Sequence, residues 1–247
     1  AVIDHGTVIA EGTSDQLKGR VGGDRLEVVL DEDTSKHMVQ VLRMQNKEQL
    51  QLTNGKGDLF TAEILDNNRK KCTAKILEVQ QIKRTAAKIT LAISLIKNNN
   101  RFEWFLEKAT EMGISEITPI ICEHSERKFI KSDRFDKIVQ SAMKQSVQFF
   151  LPKLNEPISF KEFLKQKNEG VLLIAHCEET DKKSLKQELK PKQNITVLIG
   201  PEGDFSVKEI EIALSNDFIP VTLGDTRLRT ETAAIVACHS VAFINQE

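Results

Sequence analysis

Apolar and polar positions along this chain follow two different periods, and the change falls near residue 82. Before it, the runs RLEVVL, EQLQLT, DLFTAEIL and CTAKILEV are short and alternating. They are separated by Asn54-Gly55-Lys56-Gly57 and Asp66-Asn67-Asn68, residues that favour turns. These runs predict strands, with one short helix over 35–44 whose apolar side is Met38, Val39, Val41 and Leu42. So many short strands close most simply into a small β-barrel. After a joint at 81–87, buried runs alternate with helical spacing. Strands are expected at 89–96, 116–122, 171–175 and 195–199. The intervening helices are one over 101–112, apolar at Phe102, Phe105, Leu106 and Ala109 and ended by Gly113, one capped by Ser132, and one begun by Ser159 with Glu162. Strands alternating with helices predict parallel pairing, with helices on both faces of the sheet. The chain therefore reads as an atypical segment at 1–24, a small β-barrel at 25–82 and an α/β domain at 83–247.

The stretch 196–235 carries most of the chemistry. An apolar run ends at Gly200, and Ser206 with Glu209 forms a capping box, so Gly200-Pro201-Glu202-Gly203-Asp204 is a strand-to-helix loop. The pattern repeats: a run at 219–223 stops at Gly224, and Thr230 is placed to cap a helix over 231–243. Open α/β sheets bind ligands beyond the carboxyl ends of their strands, where glycine lets backbone approach the ligand. A ligand crevice is expected at these two loops. No phosphate loop or dinucleotide fingerprint occurs, which argues against a nucleotide-phosphate site.

Composition changes this picture little. With 40% hydrophobic and 29% charged residues, 247 residues suffice for two modest domains. A formal net charge of -1 argues against general coating of nucleic acid, so any contact with RNA must be a local patch. Arg127, Lys128, Lys131, Arg134, Lys137 and Lys144 form one such run, for which a solvated face is the plain alternative. Cys72, Cys122, Cys177 and Cys238 lack metal-ligand spacing, so no metal is expected and the thiols read as reduced. No apolar run approaches a membrane span and no signal peptide is visible, which gives the expectation of a cytoplasmic protein.

IGPEGDFS at 199–206 followed by LGDTRLRTETA at 223–233 resembles the C-terminal signature of the RsmE family. These are SPOUT-class enzymes that methylate N3 of a uridine in small-subunit (16S) ribosomal RNA. HMVQVLRM at 37–44, NGKGDLFTAEI at 54–64, NNNRFEWFLEKATEMGISEITPI at 98–120 and AMKQSVQFFLP at 142–152 match in order. The chain departs from the family at Asp204, where a second glycine is usual, and near Gln148, where an arginine is common. The resemblance implies a trefoil-knotted parallel sheet preceded by a PUA-like RNA-binding barrel. It implies S-adenosylmethionine as cofactor, held by Ala175, His176, Ile199, Gly200, Gly203, Leu223, Gly224, Leu228 and Ala233. Arg229 would stabilise the uridine anion, with Glu231 or Glu202 positioning or accepting the proton. For Glu231 the alternative is a carboxylate serving only a helix N-terminus, and for His176 a satisfied strand-end histidine. RNA contacts would come from His37, Arg43, Arg127 and Lys128, and the implied partners are small-subunit RNA or the assembling 30S particle and a second copy of the chain. Ribose or transfer-RNA methylation, or a non-catalytic RNA-binding module, are the competing readings.

Residues 1–30 instead resemble the segment of ABC-transporter ATPases around and after their switch histidine, with His5 in that position. Without a phosphate loop such a piece hydrolyses nothing. Read from the residues alone, it is a strand, a turn at His5-Gly6, a second strand, and a short helix capped by Thr13 or Ser14.

Overall fold

In the computed structural model of the chain, the short alternating runs form one sheet and the buried runs after residue 88 form another. The structure describes residues 2–4, 7–11, 27–84, 87–127 and 132–246, and for 2–4, 7–11, 132 and 133 the backbone alone. His5, Thr13, Ser14, Lys128 and Lys131, and the side chain of Ser132, lie outside that description. Two units result: residues 1–84 with 140–151, and residues 85–139 with 152–247. The return of 140–151 to the first unit differs from a simple division of the chain near residue 82.

In the first unit, β1 (Val2–Asp4), β2 (Thr7–Glu11), β3 (Glu27–Val29), β4 (Gln49–Thr53), β5 (Asp58–Asp66) and β6 (Thr73–Gln81) form a sheet in the order β1-β2-β4-β5-β6-β3. All pairings are antiparallel except that of β2 with β4, so β1 and β2 extend one edge of the sheet. Alternation sorts the side chains. Leu50, Leu52, Ala62, Ile64 and Ala74 turn inward with Val28, Met38, Met44 and Cys72, and form the core. Each large apolar side chain so buried contributes about 1.5–3 kcal/mol.

The short helix begins earlier than its apolar pattern indicates. α1 (Glu32–Lys36) starts at Asp31, whose carboxylate accepts from Thr34 N at 2.9 Å, and continues through a wider π-helical turn, His37–Val41. Arg43 then takes a left-handed φ of 56°, and Met44 N donates to Met38 O at 3.0 Å. The wider turn carries Met38 and Met44 to the core. Val41, expected on the apolar side, is 65% exposed.

Residues 140–151 complete this unit. Gly57 N donates to Phe149 O at 2.9 Å and Leu151 N to Gly55 O at 2.8 Å. Gly57 has a φ of 97°, and a Cβ there would lie 2.6 Å from the Phe150 ring, so only glycine fits. The Arg84 guanidinium stands over the same ring, 5.0 Å from its centroid.

The second unit is an α/β sheet in the order β10-β8-β7-β13-β11-β14-β12, with every pairing parallel. Its strands are β7 (Ile89–Ser94), β8 (Glu116–Ile121), β10 (Ile158–Ser159), β11 (Val171–Ala175), β12 (Lys183–Ser184), β13 (Ile195–Ile199) and β14 (Ile219–Thr222), and β9 (Lys153–Leu154) also pairs with β8. β13 is buried at all five positions, as a strand covered on both faces must be. On one face Ala92, Ile120, Ile174 and Leu198 pack with Phe160 and Phe163 of α4 (Phe160–Lys165) and Ile210 and Ala213 of α6 (Val207–Ser215). On the other lie α2 (Asn99–Glu111) and α7 (Thr230–Ile244), which pack together. α3 (Ser132–Gln145) and α5 (Leu185–Glu188) complete the helices.

The capping boxes expected at Ser159 and Ser206 both form. The cap of α7 differs. Ala233 N donates to Arg229 O at 2.8 Å, so Arg229 is the cap residue and Thr230 is already helical. Trp104 of α2 is 45% exposed.

Candidate functional site

The register of the sheet brings three chain segments out of it side by side. Ala175, the last residue of β11, lies opposite Ile199 of β13 on one side and Val221 of β14 on the other. The segments leaving these strands are therefore adjacent: His176 and Cys177, the loop 200–204, and the loop 223–229.

The loop 200–204 is held on several sides. A Cβ at Gly200 would meet the buried Phe205 ring at 3.0 Å, closer than side chains ordinarily pack, so any larger residue would have to displace Phe205. Glu202 accepts from Lys97 N at 3.1 Å. His124 Nδ1 lies 3.1 Å from Gly203 O and 3.0 Å from Asp204 O; both are acceptors, so this nitrogen carries the proton. The bond to the Asp204 carbonyl is the main reason the His124 pKa is raised. Asp204 stands where the RsmE pattern has glycine, and it adopts the left-handed φ of 62° that glycine would supply. Its carboxylate accepts from Phe205 N at 2.8 Å and from Cys177 N at 2.6 Å, tying the loop to the segment after β11. Its added charge is thus engaged within the protein.

The loop 223–229 is built differently. Gly224 has a φ of 139°, and a Cβ there would meet nothing within 4 Å, so backbone conformation alone requires glycine. Thr222 Oγ1 donates to Gly224 O at 2.8 Å, and Gly224 N lies 3.3 Å from the same hydroxyl. Asp225, Arg227 and Arg229 are exposed.

Two cavities open at this edge of the sheet. One, of about 290 Å³, is lined by His176, Lys182, Thr222, Leu223, Gly224 and their neighbours. The other, of about 500 Å³, is lined by the loop 199–204 with Arg101, Arg229, Thr230 and Glu231. Ala175, Cys177, Arg227, Leu228 and Ala233 border both. Every cofactor-binding and catalytic residue expected from the sequence, from Ala175 and His176 through the loop 199–203 to Leu223, Gly224, Leu228, Arg229, Glu231 and Ala233, lines one or both. His37 and Arg43 belong to the first unit, and Arg127 follows β8 in the second.

Three buried polar atoms of the residues that line these cavities lack a hydrogen-bond partner. They are both ring nitrogens of His176, a residue only 7% exposed, and Oε2 of the equally buried Glu231. Burial lowers the His176 pKa, with Lys182 adding to the effect, so the ring is neutral near pH 7 and offers one donor and one acceptor. Lys182 Nζ is itself tied to the carbonyls of His176 and Glu178, at 3.0 and 2.6 Å. The other Glu231 oxygen, Oε1, lies 3.6 Å from Arg101 Nε. His37 Nε2 in the first unit is also buried and unpartnered, and burial lowers that pKa as well.

Sequence reasoning did not single out Arg101, Lys182 or Arg227. Arg101 is brought in by α2 packing beside α7, where Cys238 Sγ approaches Ala109 O at 4.0 Å. The signals for it were its place in the family-matching stretch 98–120 and in the first turn of a helix that follows the carboxyl end of β7. The basic run loses one member, since Arg134 makes two bonds of 2.7 Å to Glu103. Among the described residues no cluster suited to a metal ion occurs, and no helix is long and apolar enough to cross a membrane.

A parallel sheet with a divided, partly apolar cavity at its carboxyl edge has the architecture of an enzyme acting with a small-molecule ligand. The RNA methyltransferase domain family matches residues 83–242 and the RNA methyltransferase PUA domain residues 30–77, so the protein is an RNA methyltransferase. A ribosomal RNA small subunit methyltransferase E of Rickettsia conorii is 30% identical over 222 residues, 88% of this chain and 90% of the relative. One of Mesomycoplasma hyopneumoniae is 34% identical over 72% of this chain and 78% of its own. Among solved structures, a Porphyromonas gingivalis protein described as a probable rRNA-methyltransferase superposes with a TM-score of 0.86 at 36% identity, covering 97% of this chain and 98% of that one. A ribosomal RNA small subunit methyltransferase E from Neisseria gonorrhoeae, solved bound to S-adenosyl methionine, gives 0.81 at 28% identity over 97% and 98%. The chain belongs to the ribosomal RNA small subunit methyltransferase E (RsmE) family.

Proposed function

We propose that this protein methylates N3 of one uridine in small-subunit (16S) ribosomal RNA, within the assembling 30S particle, using S-adenosylmethionine. One observation carries the chemistry: Glu231, which lines the larger cavity, has a buried carboxylate oxygen with no hydrogen-bond partner. Uridine N3 holds a proton at neutral pH, and its methylation requires an acceptor for that proton. A buried acceptor without a donor is costly unless a ligand satisfies it.

The walls suit the donor. Leu223, Leu228 and Ala233 offer apolar surface for adenine, and the backbone of 199–203, with the two free nitrogens of His176, offers polar partners to orient it. The donor's sulfonium supplies an already activated methyl group. Glu231 accepts the N3 proton, with Glu202 as a positioning carboxylate, and Arg229 stabilises the charge that spreads onto the uracil carbonyl oxygens. His37, Arg43, Arg127 and Lys128 are assigned to RNA contacts. The reading also includes the trefoil knot of SPOUT proteins, a homodimer formed through α7, whose Phe243 is 66% exposed, and a cytoplasmic location alongside the ribosome.

The test is to incubate the protein and S-adenosylmethionine with 30S particles lacking the modification, then map methylated nucleosides by mass. A new 3-methyluridine at one position is expected. A ribose-methylated nucleoside, methylated transfer RNA alone, or donor binding without transfer would overturn the proposal. Sedimentation of an active monomer would overturn the dimer.

A further inference from the structure

We infer that Arg101 is a positioning residue for Glu231: from α2 it stands by Oε1 of that carboxylate and leaves Oε2, which has no hydrogen-bond partner, as the acceptor. The inference rests on the proton-accepting role proposed above, and no motif in the 196–235 stretch contains Arg101.

Geometry carries the argument. The Glu231 side chain is 9% exposed and the Arg101 side chain 42%. A carboxylate so deeply placed needs compensation to stay ionised. The amino end of α7 provides part of it, and Arg101 is the one cation within ion-pair distance among the described residues. At 3.6 Å the contact is too long for a hydrogen bond, so it acts through charge and takes no acceptor site from Oε2.

The other charges nearby do not duplicate this role. Glu202, Asp204, Arg227 and Arg229 line the same cavity, but Glu202 is bound to Lys97 N, and Asp204 to Cys177 N and Phe205 N. Neither Arg227 nor Arg229 comes within ion-pair distance of Glu231. On α2, Glu103 is paired with Arg134, and Lys108 with Glu107 and Glu111. α5, which also touches α7, carries Lys186 and Glu188, the latter paired with Lys183. β7 and β13, which α7 covers, contribute no charged residue.

The experiment compares Arg101→Ala, Arg101→Lys, Glu231→Gln and the Arg101→Ala/Glu231→Gln double variant in full-length protein. It measures donor affinity by calorimetry and methyl transfer to 30S particles. Arg101→Ala should bind donor within about threefold of native while kcat falls about tenfold, the mark of an interaction used in the chemical step. Arg101→Lys, which keeps the positive charge, should restore most of that loss. In the Glu231→Gln background, Arg101→Ala should cost nothing more. If Glu231→Gln is slow but Arg101→Ala keeps the native rate, the inference fails and the proposed function stands. If the two losses add, or Arg101→Ala raises only the KM for RNA, Arg101 acts independently of Glu231 and the inference fails. Native turnover by Glu231→Gln would instead remove the proton-acceptor role itself.

Discussion

The two glycine loops look alike in sequence and are opposites in construction. The loop 200–204 is fastened by bonds from three other segments: Lys97 N to Glu202, His124 to the carbonyls of Gly203 and Asp204, and Cys177 N to Asp204. Among the described residues the side-chain bonds of the loop 223–229 are local, between Gly224 and Thr222 at the end of β14. The same residue type thus answers two demands: Gly200 makes room for Phe205, whereas Gly224 supplies a backbone angle in open space. A fastened wall loses little conformational entropy when a ligand arrives, and a loop with few outside bonds has more order to lose. Binding should therefore be read first in the loop 200–204, and chemistry in the residues that the loop 223–229 delivers.

Four measurements would break or sharpen that contrast. The largest effect is expected at Arg229, at the end of the second loop: Arg229→Ala should cut methyl transfer by about 10² to 10³ with donor affinity within a few fold of native. Equal losses in calorimetry and turnover would place Arg229 in the binding wall instead. Next, Gly200→Ala forces a methyl to 3.0 Å from the Phe205 ring. Overpacking of this kind costs about 1–3 kcal/mol, and about 2–4 °C in Tm for each of these in a chain of this size. A fluorimetric melt unchanged from native would show that the Phe205 side yields.

Smaller again is Asp204→Gly. Relief of the left-handed backbone returns at most about 1 kcal/mol, while the two bonds to the carboxylate, partly exposed to water, are worth about that much each. The balance predicts a modest loss of stability and a several-fold weaker donor affinity, measured by melting and calorimetry. Tighter binding would mean that the carboxylate hinders the loop. The smallest effect belongs to His124→Ala, and it depends on pH. The folded-state pKa of His124 is raised, so its contribution is fully present below its unfolded value near 6.5. That contribution fades as pH rises through the folded value. The Tm gap between native and variant should be wider at about pH 6 than at about pH 8. A gap independent of pH would mean that the neutral ring does all the holding.

Much of this was legible in the residues because it is local. The apolar run 195–199, the stop at Gly200 and the Ser206–Glu209 box lie within one stretch of chain and specify strand, loop and helix by near-neighbour bonds. The same holds for the residues of 223–233, which reach the cavities together because they are consecutive. What escaped was long-range or backbone-specific. Arg101 meets Glu231 only because α2 packs beside α7, a pairing that periodicity does not encode. The cap of α7 at Arg229 is set by a backbone bond from Ala233, against the side-chain preference that favours Thr230. Val41 ends up in water because a π-helical turn breaks the spacing by which it was grouped with Met38. Asp204 adopts glycine's conformation without being glycine; aspartate tolerates that backbone, but residue type alone does not say where it will take it.

The return of 140–151 to the first unit bears on how such a protein can be inherited. Phe150 seats on Gly57 and lies under Arg84, yet it is encoded well inside the stretch that otherwise builds the second sheet. A single recombination near codon 84 would separate the RNA-binding sheet from the segment that completes it, leaving Gly57 facing a foreign side chain or none. The two units are not interchangeable cassettes. Either half could be replaced only by a partner bringing its own matched aromatic, so the pair is expected to have travelled through descent as one gene.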